Sequence, residues 1–230
     1  MFFWDPYYIL YMLPAFILMM LASWYVKSAY RKWSRVPVHS RMSGYEAAQR
    51  LITRAGLYNV QIEAISGQLT DHYDPRTKVL RLSRGVAQGN SVAALAIAAH
   101  ELGHAIQDAE DYFPLRLRSA MVPMVNIGSY LGWIFLLLGL YFHLMNFAWI
   151  GIIAFSGGLL FALATLPVEL NASARAKRLL WETGLIQTEE ERKGMNTVLN
   201  AAALTYVASI FTAFLQLLYY ISLVNGRSRR

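Results

Sequence analysis

His100 and His104 stand four residues apart and enclose Glu101 in the run His100-Glu101-Leu102-Gly103-His104. Two imidazoles at that spacing share one face of a helix and can reach a single ion. Glu101, rotated to the side, can meet a water at the open coordination position and act as general base. The spacing therefore predicts metal-assisted hydrolysis, with zinc as the first choice of ion. Nickel, cobalt or manganese would also suit two histidines and a carboxylate. The plainer alternative is two partly exposed histidines on an ordinary amphipathic helix. The context weighs against it, because Ala93 to Ala99 are all small or apolar and imply a buried helix. Buried imidazoles need polar partners, and a metal supplies one. Gly103 costs a helix about 1 kcal/mol relative to alanine, which predicts that something approaches the backbone closely there.

The elements that must carry this motif follow from where charge is missing. Only 15% of the 230 residues are charged, below the roughly 25% usual in soluble domains. Pro6 to Val26, Ser119 to Val168 and Gly194 to Gly226 hold no Asp, Glu, Lys or Arg. About 20 apolar residues cross a bilayer, so these stretches predict spans over about 6–26, 120–142, 148–168 and 204–224. The middle two would be joined by a turn near Tyr141 to Phe147. No Lys or Arg precedes the first run, and it ends in Trp24, Tyr25 and Lys27, which reads as a membrane anchor rather than a cleaved signal peptide.

The charges that remain predict sidedness. Lys27 to Arg118 carries 13 Lys and Arg, Arg175 to Lys193 carries 5, and the C-terminal tail of Arg227, Arg229 and Arg230 carries 3. With four spans the two rich segments share a side, 18 against 3, and the positive-inside tendency assigns that side to the cytoplasm. The tail is the exception to the pattern. The expected location is a multi-pass protein of the cell membrane with its catalytic face in the cytoplasm. The absence of cysteine fits that face and excludes thiolate ligands. Lys27, Arg31, Lys32 and Arg35, interleaved with Tyr30 and Trp33, read as a helix end against anionic headgroups. The bilayer is thus an expected partner. Nucleic acid is not, because the net charge of +7 comes without any nucleic-acid fold signature.

Between the spans the pattern changes. Gly44 to Gly56 predicts a short amphipathic helix with Ala47, Leu51 and Ile52 on one face and Gly56 as its stop. Val60 to Ile65 alternates, placing Val60, Ile62 and Ala64 on one side. Gln68 to Tyr73 and Lys78 to Ser83 flank Asp74-Pro75-Arg76-Thr77, a turn sequence, and predict a β-hairpin. Asn90 or Ser91 caps a helix over Val92 to Asp108. The fold class is a mainly α membrane protein of about four transmembrane helices. A small α+β, zincin-like catalytic part carries the hairpin and the HExxH helix. We read 1–230 as one membrane-embedded unit with catalytic segments 40–118 and 169–200.

A catalytic zinc takes three protein ligands and one exchangeable water. His39, His72 and His143 are the remaining histidines, and His143 falls at the predicted turn on the far side of the membrane. Glu169, in PVELNASARAK, ends an apolar run where the third span meets the cytoplasm, and a carboxylate there is costly unless compensated. An interfacial glutamate reaching water is the other reading of it, and His72 is its rival for the ligand role. Arg175, His72 and Tyr73 are candidate oxyanion donors, although each also reads as an ordinary surface or turn residue.

HELGH, followed well downstream by Glu169-x-x-Ala172, resembles the gluzincin peptidases of the HtpX and CAAX-prenyl endopeptidase type. More closely, LTDHYDPRTKVLRLS, the HELGHAIQD helix and VELNASARA resemble the compact bacterial membrane-bound neutral zinc metallopeptidases, sometimes labelled YugP-like. Within a similar arrangement of spans, these segments cover most of the chain. The resemblance implies Zn2+, held by His100, His104 and Glu169, with Glu101 catalytic. It further implies a metalloprotease, a membrane-embedded endopeptidase that hydrolyses peptide bonds through a zinc-activated water. Its substrate would be a peptide or protein, membrane proteins included, and the hairpin could offer an edge strand to it. The larger relatives place Asp, orienting a ligand histidine, where this chain has Ser173. Serine brings no charge, and Asn171 or Asp108 could substitute. Two other classes stay open: a metal-binding membrane pseudoenzyme or scaffold without turnover, and an unrelated membrane structural or transport protein. An intact Glu101 argues against the first, and spans without ionisable groups argue against the second. Nothing in the sequence points to an oligomeric state.

Overall fold

Among the described residues of this computed structural model, four helices are long and apolar enough to cross a membrane by length and composition: α1 (Pro6–Trp33), α5 (Phe113–Tyr141), α6 (Met145–Glu182) and α7 (Glu189–Ser228). The structure describes residues 6–228, so Arg229 and Arg230 of the C-terminal tail lie outside the described residues, as does the side chain of Arg227. The remaining elements are α2 (Gly44–Ala55), β1 (Gln61–Ile65), β2 (His72–Asp74), β3 (Val79–Ser83), α3 (Arg84–Ala87) and α4 (Val92–Ala109). The protein is thus a mainly α membrane protein with a small α+β part.

The chain forms two compact units, and each long helix supplies residues to both. One unit draws on Met1–Ser23, Arg116–Pro167 and Thr205–Arg230. Its core gathers Leu136, Leu140, Ala148, Ile152, Tyr219, Tyr220 and Val224. Leu10, Phe16, Ile127 and Ile153 of the same unit are more than half exposed. Apolar surface on that scale is unfavourable in water and ordinary against hydrocarbon. Pro14, Pro123 and Pro167 sit inside α1, α5 and α6 without ending them, a tolerance typical of helices in membranes.

The other unit, Trp24–Leu115 with Val168–Leu204, holds the motif. α4 is its axis, packed against α2, α3, β2 and β3. Ser91 caps α4 by accepting from the Ala94 N–H at 3.2 Å. Gly56 stops α2 in the left-handed region at φ 70°, and Ser43 and Glu46 close a capping box at its start. Ala47, Leu51 and Ile52 face the core as their spacing predicts.

The sheet has the order β1-β3-β2. β2 and β3 form the expected hairpin, with His72 paired to Arg81 and Asp74 to Val79. The Asp74 carboxylate builds the turn by accepting from the Arg76 N–H at 3.0 Å and the Thr77 hydroxyl at 2.8 Å. β2 is shorter than its sequence pattern implied, because Leu69 takes a positive φ of 57° and the loop regains extended backbone only at His72. β1 pairs with β3 in parallel, from Gln61 with Val79 to Ile65 with Ser83. Along β1 the expected face is incomplete. Ile62 packs on the core, whereas Ala64, small and on a strand bonded on one side only, stays exposed.

Candidate metal centre

α4 brings His100 and His104 to one face, and α6 carries Glu169 past Pro167 to meet them. One ligand atom from each lies within 4.8 Å of the others. Nε2 of His100 is 3.2 Å from Glu169 Oε2, and Nε2 of His104 is 3.5 Å from the same oxygen. Glu169 is only 3% exposed. The approach of the two helices depends on Gly103, where a Cβ would lie 2.6 Å from the Ala172 carbonyl oxygen. This is the close backbone contact that a glycine inside the motif predicted.

The outer nitrogens of both imidazoles are occupied. Nδ1 of His100 is 3.1 Å from the Ser173 hydroxyl. Nδ1 of His104 is 3.0 Å from Gln107 Oε1. The amide of Gln107, fully buried, donates to the Val168 carbonyl at 2.8 Å and to Asn171 Oδ1 at 2.9 Å. Asn171 Oδ1 also accepts from Arg175 Nε at 2.7 Å, and Arg175 pairs with Glu110 at 2.7 Å. Since the Gln107 amide nitrogen is committed to Val168 and Asn171, Gln107 presents its oxygen to His104, and the Nδ1 of His104 carries a proton. Its Nε2 then turns a lone pair toward the Glu169 carboxylate. A lone pair set against a buried carboxylate is repulsive unless a proton or a metal cation lies between them, and two imidazoles with a carboxylate suit zinc.

Glu101 is half-buried beside this cluster. Burial pushes its carboxyl up from the ordinary value, against the pull of His100 and His104. The main-chain N–H of Tyr73, on edge strand β2, donates to Glu101 Oε2 at 3.2 Å.

A family described as "Putative neutral zinc metallopeptidase" matches residues 8–225 of this sequence. The chain belongs to that family. It is also 44% identical over 207 residues, 90% of this chain and 92% of the relative, to a Bacillus subtilis (strain 168) protein named "Putative membrane protease YugP". No solved structure matches the chain.

Other sequence candidates of this zinc metallopeptidase family member lie as follows. His72 is exposed, with Nδ1 2.9 Å from the Thr70 carbonyl oxygen. It is not in the His100, His104 and Glu169 cluster, which is the one such group found among the described residues. The Tyr73 hydroxyl donates to Asp108 Oδ2 at 2.8 Å, and burial together with that carboxylate holds it protonated far above the usual phenol range. Asp108 therefore serves Tyr73 and Lys78, and Asn171 reaches His104 only through Gln107. Arg175 is committed to Asn171 and Glu110 and lies over the Tyr112 ring. His143 sits in the turn between α5 and α6, and His39 contacts Glu191. Gln107 was missed by sequence reasoning. Its signal was available, since it is a lone amide three residues beyond His104 and so on the same face.

Proposed function

We propose that this protein is a membrane-embedded, multi-pass zinc endopeptidase whose catalytic face lies in the cytoplasm. The observation that carries the reading is the convergence of His100, His104 and buried Glu169, with Glu101 beside them. Zinc held by those three side chains would supply Lewis-acid polarisation of the scissile carbonyl and of the attacking water. Glu101 takes the proton of that water and passes it to the leaving amine. Burial, which raises the affinity of Glu101 for a proton, suits it to both steps. Gln107 and Ser173 hold the imidazoles in orientation, with the Arg175–Glu110 pair securing Gln107 through Asn171. β2 lies at the sheet edge next to Glu101, where main-chain pairing would align an extended peptide. The excess of Lys and Arg on the segments that carry this site supports the cytoplasmic assignment.

The test uses detergent-purified protein and a mixture of unstructured peptides. A chelator should abolish internal cleavage and stoichiometric zinc should restore it. Cleavage that survives complete removal of metal would overturn the reading.

A further inference from the structure

Tyr73 touches α4 at two points. Its main-chain N–H meets Glu101 Oε2 at 3.2 Å, and its hydroxyl meets Asp108 Oδ2 at 2.8 Å. Seven residues separate Glu101 from Asp108, about 10 Å along a helix, so one tyrosine spans two turns of the motif helix. Lys78, at the start of β3's side of the hairpin, donates to the same Asp108 oxygen. Both limbs of the hairpin are therefore tied to α4 one turn beyond His104.

We propose that Tyr73, Asp108 and Lys78 form a positioning cluster, which clamps the edge strand to α4 and so sets the rotation of the Glu101 carboxylate. The proposal rests on the peptidase reading of Glu101. The last torsion of a glutamate is broad and nearly two-fold, so burial alone does not fix which oxygen faces the reacting water. A main-chain N–H on Oε2 does fix it, and leaves the other oxygen to receive the proton. That N–H stays in place only while β2 keeps its distance from α4. β2 is three residues long and bonded to one strand only, too little to hold itself. The Tyr73 ring packs on the core at one end and Asp108 holds its tip at the other. Partly exposed ion pairs such as Lys78–Asp108 contribute little to stability. The value of this one lies in placement, and its loss leaves the fold standing.

The test is kinetic and uses the full-length, zinc-loaded protein. Tyr73→Phe keeps the ring and the main chain but loses the hydroxyl. It should lower kcat by about tenfold or more, since misplacing a reacting group by about 1 Å can cost a hundredfold, while zinc content stays that of the wild type. Asp108→Asn, which can still accept the hydroxyl, should retain more of kcat than Asp108→Ala. The deciding comparison is in the Glu101→Gln background. There Tyr73→Phe should change the residual rate by less than about twofold, because groups that act through one another are not additive. An equal fractional loss in both backgrounds, a loss confined to KM, or an undiminished kcat would each overturn the proposal. A readout without turnover separates it from the peptidase reading. Amide exchange at 72–74 should accelerate in Tyr73→Phe, and unchanged exchange would remove the clamp even if the wild type proved to cleave nothing.

Discussion

At the scale of single residues, the centre is defined by how its nitrogens and oxygens are shared. Ser173 and Gln107 take the outer nitrogens of His100 and His104, so both inner nitrogens face Glu169. Glu169→Ala should therefore reduce bound zinc sharply, as measured by metal analysis of purified protein. His72→Ala should leave zinc in place, because His72 is exposed and occupied by the Thr70 carbonyl. Full zinc in the first variant with loss in the second would transfer the ligand role to His72. The motif pair was legible from spacing alone, because a four-residue interval fixes one helical face. Glu169 was a candidate from the cost of ending an apolar run on a carboxylate, with His72 as its rival, and the structure brings Glu169 and not His72 to the pair. The relay from Glu110 through Arg175 and Asn171 to Gln107 was not. Hydrogen-bond direction depends on side chains from two helices meeting, and neither helix alone specifies the crossing.

At the scale of elements, the crossing of α4 and α6 is set by Gly103 against Ala172. Gly103→Ala should gain helix propensity of about 1 kcal/mol yet lose more overall. The added methyl would meet a backbone carbonyl, and overpacking of that kind costs about 1–3 kcal/mol. The expected result is a lower Tm and weaker zinc binding, since Ala172 lies between Glu169 and Ser173. A Tm at or above wild type with normal zinc affinity would show that the helices do not need this contact. The Gly56 stop of α2, the Ser91 cap of α4 and the Asp74 turn were readable because each is local chemistry within four residues. The parallel pairing of β1 with β3 joins segments separated by a loop and a second strand. It follows from how the hairpin packs, so the alternation of Val60, Ile62 and Ala64 could not reveal it.

At the scale of the whole molecule, the distribution of Lys and Arg predicts which segments face the cytoplasm. Single cysteines placed at Gln88 and Asn146 would report this to an impermeant thiol reagent, because the chain has none of its own. In intact cells position 146 should label and position 88 should be protected. The reverse pattern would invert the topology and place catalysis outside. The central claim, that a buried two-histidine, one-glutamate centre hydrolyses peptides with Glu101 as its base, is met most directly by cleavage assays on Glu101→Gln at matched zinc content. Glutamine preserves size but cannot accept the proton of the water. The account predicts full zinc and a rate lower by at least about 10² to 10⁴. Wild-type turnover in that variant would contradict it.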